Sequence, residues 1–362
     1  MTKGRPALQG GDPFSRSAGI ATPTTVLSVF PSDGSVYCIE DVNLSVDLAP
    51  TNKRGLRLAN PVMTASGTFG NGVEYVKVFD IQRLGAIVSK AITLRPRWGN
   101  PQPRIAETAA GMINSIGLQN IGVDAIIRDV APVWATWRLP VIVNIAAESI
   151  GDYVELARRL DAVPGVSGLE LNISCPNVES GLEFGSDPRA AAEVTGAVRS
   201  QTDLPLLVKL TPNVSDIVAV ARAVAEAGAD ALTLINTFPA MSIDVKARRP
   251  ALGWGSGGLS GPALKPIALR MVYRVACALD IPIIGCGGIT SGRDAMEYIM
   301  AGATAVQVGT ATFLNPRAPL DVLEGIEAFL REEGIEDVRE LVGVALPGGR
   351  RQTLLTPEAG QS

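Results

Sequence analysis

Residues 205–237 read PLLVKLTPNVSDIVAVARAVAEAGADALTLINT, and three signals within them decide the fold. The opening PLLVKL is an apolar run interrupted by one lysine, as expected of a parallel strand buried on both faces. Residues 217–228 (IVAVARAVAEAG) space their apolar side chains at roughly the helical period and end on glycine, a favourable C-terminal residue. A second apolar run at 231–237 completes a strand–helix–strand unit.

Moving outward, the unit recurs in both directions. Strands are predicted at residues 61–66, 86–90, 140–146, 168–174, 205–210, 231–237, 282–287 and 305–309, each followed by a helical stretch. Eight alternations predict an α/β fold, a closed (β/α)8 TIM barrel, over a doubly wound open sheet, which usually has fewer units. The barrel is expected over residues 41–345, opened by a short strand at 42–48. Residues 1–40 read as an N-terminal extension and 346–362 as a C-terminal tail, while 238–261 read as a long mobile loop after strand six. The GWGSGG string at 253–258 follows a polar loop and not a buried strand, so it lacks the context of a dinucleotide fingerprint.

Composition narrows the chemistry. At 362 residues, 46% hydrophobic and 19% charged, the chain has ample material for one large core. Its formal charge of -4, with no long basic run, gives nucleic-acid binding no electrostatic support and favours a small metabolite. Cys38, Cys175, Cys277 and Cys286 lie far apart, against a zinc site or an iron–sulfur cluster built from this chain alone. No stretch approaches a membrane span and the start lacks a signal-peptide pattern, so a soluble cytoplasmic protein is expected. Histidine is absent, which removes Ser-His and Cys-His dyads. Any acid–base step must use another residue type.

In such barrels the chemistry sits where strands end. Strands seven and eight end in Gly285-Cys286-Gly287-Gly288-Ile289 and Gly309-Thr310-Ala311, glycine-rich turns at the recurrent phosphate position. Lys209 on strand five and Lys90 on strand two stand in apolar surroundings, where desolvation calls for an anionic partner or a cofactor that becomes negative. Asparagines cluster at Asn114 and Asn120, at Asn172 and Asn177, and at Asn236; Asn120 reads as a loop residue bonded to backbone, while at Asn172 and Asn236, which finish strands four and six, side-chain amides can read a planar polar ligand. Cys277 and Cys286 read as packing residues. Cys175, just past strand four, reads either as a small buried hydrophobe or as a thiol base.

Together these segments resemble the dihydroorotate dehydrogenase family over roughly residues 40–340. The stretches that carry the resemblance are ASGTFG (65–70), SKAIT (89–93), GNPQPRI (99–105), NSIGLQN (114–120), ELNISCPN (170–177), VKLTPN (208–213), GGLSGPALKPIALRMVY (257–273), GCGGI (285–289) and AVQVGTA (305–311). Cysteine in NISCPN is similar to class 1 enzymes, and the long GGLSGPALKP segment to class 1B.

The resemblance implies oxidation of dihydroorotate to orotate in pyrimidine biosynthesis, with FMN as cofactor and Cys175 as the base. It implies FMN contacts at Ser66, Gly67, Lys90, Asn144, Asn172, Lys209, Gly261, Gly287, Gly288, Gly309 and Thr310. It further implies substrate contacts at Lys90, Asn114, Ile116, Gly117, Leu118, Asn172, Asn177, Asn236 and Thr237. Class 1B also implies a homodimer within a heterotetramer, whose partner subunit carries FAD and [2Fe–2S] and passes electrons to NAD+. A dihydropyrimidine dehydrogenase-like FMN enzyme, and the class 1A type that uses fumarate, stand as alternatives. Two readings further away are a phosphate-binding lyase or isomerase and a catalytically silent barrel.

Overall fold

The computed structural model describes Met1 and residues 41–174 and 184–349. The barrel lies in the unit that begins at Ile39. Its eight parallel strands are Val62–Thr64, Ile87–Val88, Val141–Ile145, Gly168–Asn172, Leu206–Leu210, Ala231–Leu234, Ile283–Cys286 and Ala305–Val308. Each falls inside its expected segment. Strand one pairs with strand eight, and the order runs eight, seven, six, five, four, three, two. A parallel bridge between Met63 and Ala86 joins strands one and two, with Gly85 N donating to Val62 O at 2.8 Å. The ring is closed.

The strand side chains are buried almost throughout, as the unbroken apolar runs require. Amphipathic helices cover them, among them Ile150–Leu160, Pro188–Arg199, Ile217–Glu226, Lys265–Ala278, Gly292–Met300 and Ala318–Glu333. Four of these begin on Ser149, Asp187, Asp216 and Ser291, whose side chains accept from the first free N–H groups. The helix expected after strand one is missing. Residues 65–83 instead turn through Gly67, Gly70 and Gly72, all at positive φ, around a buried Phe69 stacked on Tyr75, and reach only a short 3-10 turn at Ile81–Arg83.

At the N-terminal end of the barrel, the expected opening strand shrinks to Val46–Asp47, paired antiparallel with Arg57–Leu58. The loop between them is tied down by Asn52, which donates to Asp230 at 3.0 Å. Asp230 also accepts from Arg199 and from the N–H that opens strand five.

The opposite, C-terminal end carries a second departure. Residues 238–261 are not a structureless loop. Phe238–Ala240 and Gly257–Ser260 pair with each other and with the hairpin Ile105–Thr108 and Gly111–Asn114 that follows strand two. A four-stranded antiparallel sheet thus spans the barrel mouth from strand two to strand six. The intervening Ile243–Asp244 and Arg249–Pro250 form a small hairpin of their own.

Candidate active site at the barrel mouth

The glycine turns after strands seven and eight meet the end of the capping sheet. Gly288 has φ +68, and a Cβ there would stand 2.7 Å from Gly261 O and 2.9 Å from Lys265 N. Only glycine fits, because the obstacles are backbone. A Cβ on Gly287 would meet Ala268, and one on Gly261 would meet Gly111 Cα at 2.6 Å. Thr310 Oγ1 donates to Ser260 Oγ at 2.8 Å, linking the turn after strand eight to the same cap strand. Gly261, Gly287, Gly288, Gly309 and Thr310 therefore converge, and they form the kind of bare-amide cradle that suits a phosphate. The helix behind it opens on Ser291 as expected. Its Asp294 accepts from Lys265 Nζ at 2.6 Å, which holds the lysine away from the cradle.

Inside the ring, polar side chains from six strands and the first loop form a belt. Glu170 on strand four is fully buried, and accepts from Asn144 Nδ2 at 2.7 Å, Gln307 Nε2 at 2.6 Å and Thr233 Oγ1 at 3.0 Å. Lys209 on strand five is buried beside it, 3.9 Å from Glu170 Oε1. Its other contacts are long: 3.3 Å to Gln307 Oε1, 3.4 Å to Ser66 Oγ and 3.8 Å to Cys286 Sγ.

Burial alone would depress the Lys209 ammonium, but attraction to Cys286, when that thiol is ionised, and to Glu170 outweighs it and leaves the group above its ordinary value. Burial pushes the Cys286 thiol up. Both shifts act in one direction, so at neutral pH the pair stands as ammonium and thiol. At 3.9 Å and an effective dielectric of about 20, the Lys209–Glu170 attraction is about 4 kcal/mol, enough to offset much of the cost of burying the ions. Asn144 adds a further signal. Its amide is fully buried, and Oδ1 has no partner. A buried orphan acceptor of this kind calls for a ligand donor.

The asparagines sit higher, around the rim. Asn236 Nδ2 donates to Asn172 Oδ1 at 3.2 Å and to Ser174 Oγ at 2.9 Å, so strands four and six present a joined amide pair. Asn114 lies in the capping sheet opposite Gly258 and donates to its carbonyl at 3.3 Å. A Cβ on Gly258 would fall 2.0 Å from Thr237 Oγ1, which fixes Thr237 against the same strand. Beyond Asn114 the chain turns through Ile116, Gly117 and Leu118. Leu118 has φ +55, uncommon for a leucine, and packs on Ala91 and Ala146 at the ends of strands two and three. Arg104 pins this turn by donating to Trp98 O and Gln119 Oε1. Asn120 serves the loop itself, bonding Thr93 and Leu118 O.

Lys90 is half-buried just past strand two, its N–H donating to Gly70 O at 2.7 Å. Burial pulls its ammonium below the ordinary value; the charge of Glu74 opposes this and that of Arg104 adds to it. Ser66 is drawn in by Lys209, and Gly67 follows it in the first loop. Cys175 and Asn177 lie outside the described residues, one and three positions past Ser174.

Two cysteine expectations change. Cys277 is exposed on its helix and packs into no core. Cys286 is buried as expected, yet its sulfur faces Lys209 and belongs to the belt. Sequence reasoning missed Glu170, Thr233 and Gln307 altogether. The signal was available: a glutamate and a glutamine stand inside apolar strands, as conspicuous as the lysine that was noticed.

Such a site can seat a phosphate on bare amides, hold negative charge beside a buried ammonium and read a planar polar ligand with amides. Comparison with known proteins agrees. A family model for dihydroorotate dehydrogenase matches residues 48–330, from the N-terminal hairpin into the last helix. The chain is 54% identical over 305 residues to the "Dihydroorotate dehydrogenase B (NAD(+)), catalytic subunit" of Geotalea uraniireducens, covering 84% of this chain and 98% of that one. A protein of the same description from Desulforudis audaxviator is 56% identical over 292 residues, covering 80% of this chain and 95% of its own. Likeness of that depth over nearly the whole barrel has one reading: the chain belongs to the dihydroorotate dehydrogenase family of oxidoreductases.

Proposed function

We propose that this chain oxidises (S)-dihydroorotate to orotate on a bound FMN, as a class 1B catalytic subunit. The observation that carries the reading is the fully buried Asn144 Oδ1, which has no partner and stands in the same belt as the buried Lys209 ammonium. A desolvated acceptor of this kind calls for a donor from a ligand.

FMN fits what surrounds it. Gly261, Gly287, Gly288, Gly309 and Thr310 would hold the phosphate. The orphan Oδ1 of Asn144 would accept from the ring, and Ser66, Gly67, Lys90 and Asn172 would line it. When bound, FMN would supply the acceptor for the hydride that leaves C6 of the substrate.

The remaining work belongs to the chain. Lys209 stabilises the negative charge that accumulates beside it, without needing to move. Asn114, Asn172, Asn177, Asn236 and Thr237, with the backbone of Ile116, Gly117 and Leu118, orient the pyrimidine so that C5 faces the base. Cys175, as thiolate, takes the C5 proton. It follows directly on Ser174, whose hydroxyl is already engaged by Asn236. The capping sheet excludes water from above.

Electrons then leave for NAD+ through a second subunit carrying FAD and [2Fe–2S], within a heterotetramer built on a dimer of this chain. The description of the relatives as catalytic subunits using NAD(+) supports that arrangement. Among the described residues no helix is long and apolar enough to cross a membrane. The route proposed here needs no membrane.

The test is a visible spectrum of the purified chain under anaerobic conditions. The expected result is a yellow protein that bleaches on dihydroorotate and is not recoloured by NAD+ alone. Cys175→Ala should bind FMN normally and bleach roughly 100- to 10,000-fold more slowly, the usual share of a general base. A protein that stays colourless when offered FMN would overturn the reading. Bleaching by dihydrouracil in place of dihydroorotate would redirect it to the dihydropyrimidine enzymes.

A further inference from the structure

Glu170 and Lys209 are the only charged side chains among the buried polar groups of the described residues. They face each other on adjacent strands, Asn172 of strand four standing opposite Lys209 in the register. The carboxylate is already saturated by Asn144, Gln307 and Thr233. The ammonium stays 3.9 Å away, beyond hydrogen-bond reach. Glu170 therefore compensates the charge of Lys209 without occupying its N–H groups.

Cys286 can add to this only when ionised. Of the other groups that meet Nζ, Ser66 and Gln307 are uncharged, and Cys286 is a thiol whose ionisation burial opposes. We propose that Glu170 is a positioning residue that acts through Lys209, holding the proton on the ammonium in both redox states of the cofactor while leaving its N–H groups on long contacts to uncharged partners, from which they can turn to the flavin. This rests on FMN lying against Lys209, as proposed above.

The consequence is a proton count. Reduction of FMN by a hydride donor such as dihydroorotate places two electrons and one proton on the ring, leaving one negative charge. With Glu170 in place, Lys209 is charged before and after, and the site takes up one proton for every two electrons. Without Glu170, a desolvated ammonium beside an uncharged oxidised ring gives up its proton. The anionic reduced ring then draws it back, and the count becomes two.

The dependence of the flavin midpoint potential on pH reads that count directly, independently of turnover. Across neutral pH the wild-type slope should correspond to one proton per two electrons, and that of Glu170→Gln to two. The swapped variant Glu170→Gln/Gln307→Glu returns a carboxylate to the position now 3.3 Å from Nζ and should restore a count of one. Should the single variant not fold, Glu170→Asp draws the carboxylate back by one methylene. The pH at which its slope steps from one proton to two should then fall below that of the wild type.

A slope of one proton in Glu170→Gln, or an unmoved step in Glu170→Asp, overturns the role of Glu170. The functional reading survives that outcome so long as the wild type binds FMN and bleaches on dihydroorotate. A wild type that never holds FMN overturns both, and does so before any variant is made.

Discussion

A single methyl group added at position 288 would test the phosphate cradle. Gly288→Ala must place a side chain at φ +68, costing about 1 kcal/mol, and drive Cβ against Gly261 O and Lys265 N. Neither obstacle is a flexible side-chain end, so the cradle itself has to shift. FMN affinity, measured by quenching of its fluorescence, should fall at least tenfold. An unchanged affinity would mean that the phosphate lies elsewhere.

Lys209 can be probed by the logic of buried pairs. Lys209→Met leaves Glu170 as an uncompensated buried charge and should lower stability by about 3–5 kcal/mol in urea unfolding. Adding Glu170→Gln should recover most of that loss. Substrate-driven bleaching should stay at least ~100-fold slow in both variants, since neither restores a cation beside the ring. Recovery of the rate in the double variant would contradict the role given to Lys209.

At the scale of elements, the capping sheet is the part that a reading of local pattern could not reach. Its strands Phe238–Ala240 and Gly257–Ser260 are short, rich in glycine and proline, and without apolar alternation. What makes Gly257–Ser260 a strand is pairing with residues some 145 positions earlier, Ile113 against Leu259 and Asn114 against Gly258, and Phe238–Ala240 in turn pairs with it. The barrel strands needed no such partner to be visible, because burial on both faces writes itself into the sequence as unbroken apolar runs. Gly258→Ala should therefore act on the sheet, pushing Thr237 away and loosening Asn114. The expected result is a raised KM for dihydroorotate with FMN binding retained; loss of FMN with an unaltered KM would show that the sheet serves the cofactor instead.

The helix Gly292–Met300 carries a pH-dependent element. Burial would raise the Asp294 carboxyl, but Lys265, Thr290 and Ser291 outweigh it and hold the group at about 2. A carboxyl depressed on folding contributes its stability above the ordinary value of about 4, and loses it as pH falls from there towards 2. The Tm of the wild type should drop across that window. Asp294→Asn should start lower and show a flatter profile there, with the FMN site unaffected above it.

Over the whole molecule, the residues that were legible and those that were not divide by a physical criterion. Lys209, Asn172 and Asn236 stood out because a polar group in a buried strand must have a reason to be there, whereas Asn144 came only with the resemblance. Glu170 and Gln307 satisfy the same criterion, and only their familiarity as surface residue types hid them. Gly258, Gly261 and Leu118 obey no local rule; their significance comes from which distant backbone passes close by. The thiol assigned as base could be weighed only through the resemblance, since position alone left it open. Ligand linkage offers a global check: FMN at a hundredfold excess over its dissociation constant should add about 2.7 kcal/mol of stability, a Tm rise of a few degrees.

The seam of the ring has a bearing on how the protein is made. Strand one pairs with strand eight, Thr64 against Val308, and a Cβ on Gly309 would touch Ala65. The first and last strands thus share one edge of the proposed cofactor site, whose cradle would need residues 261, 287, 288, 309 and 310 together. On the proposed site, a nascent chain still short of Thr310 lacks part of the flavin cradle, however much of its barrel has formed on the ribosome. If the flavin is held as proposed, its loading waits for the eighth strand, and yellow colour would mark a chain synthesised past it.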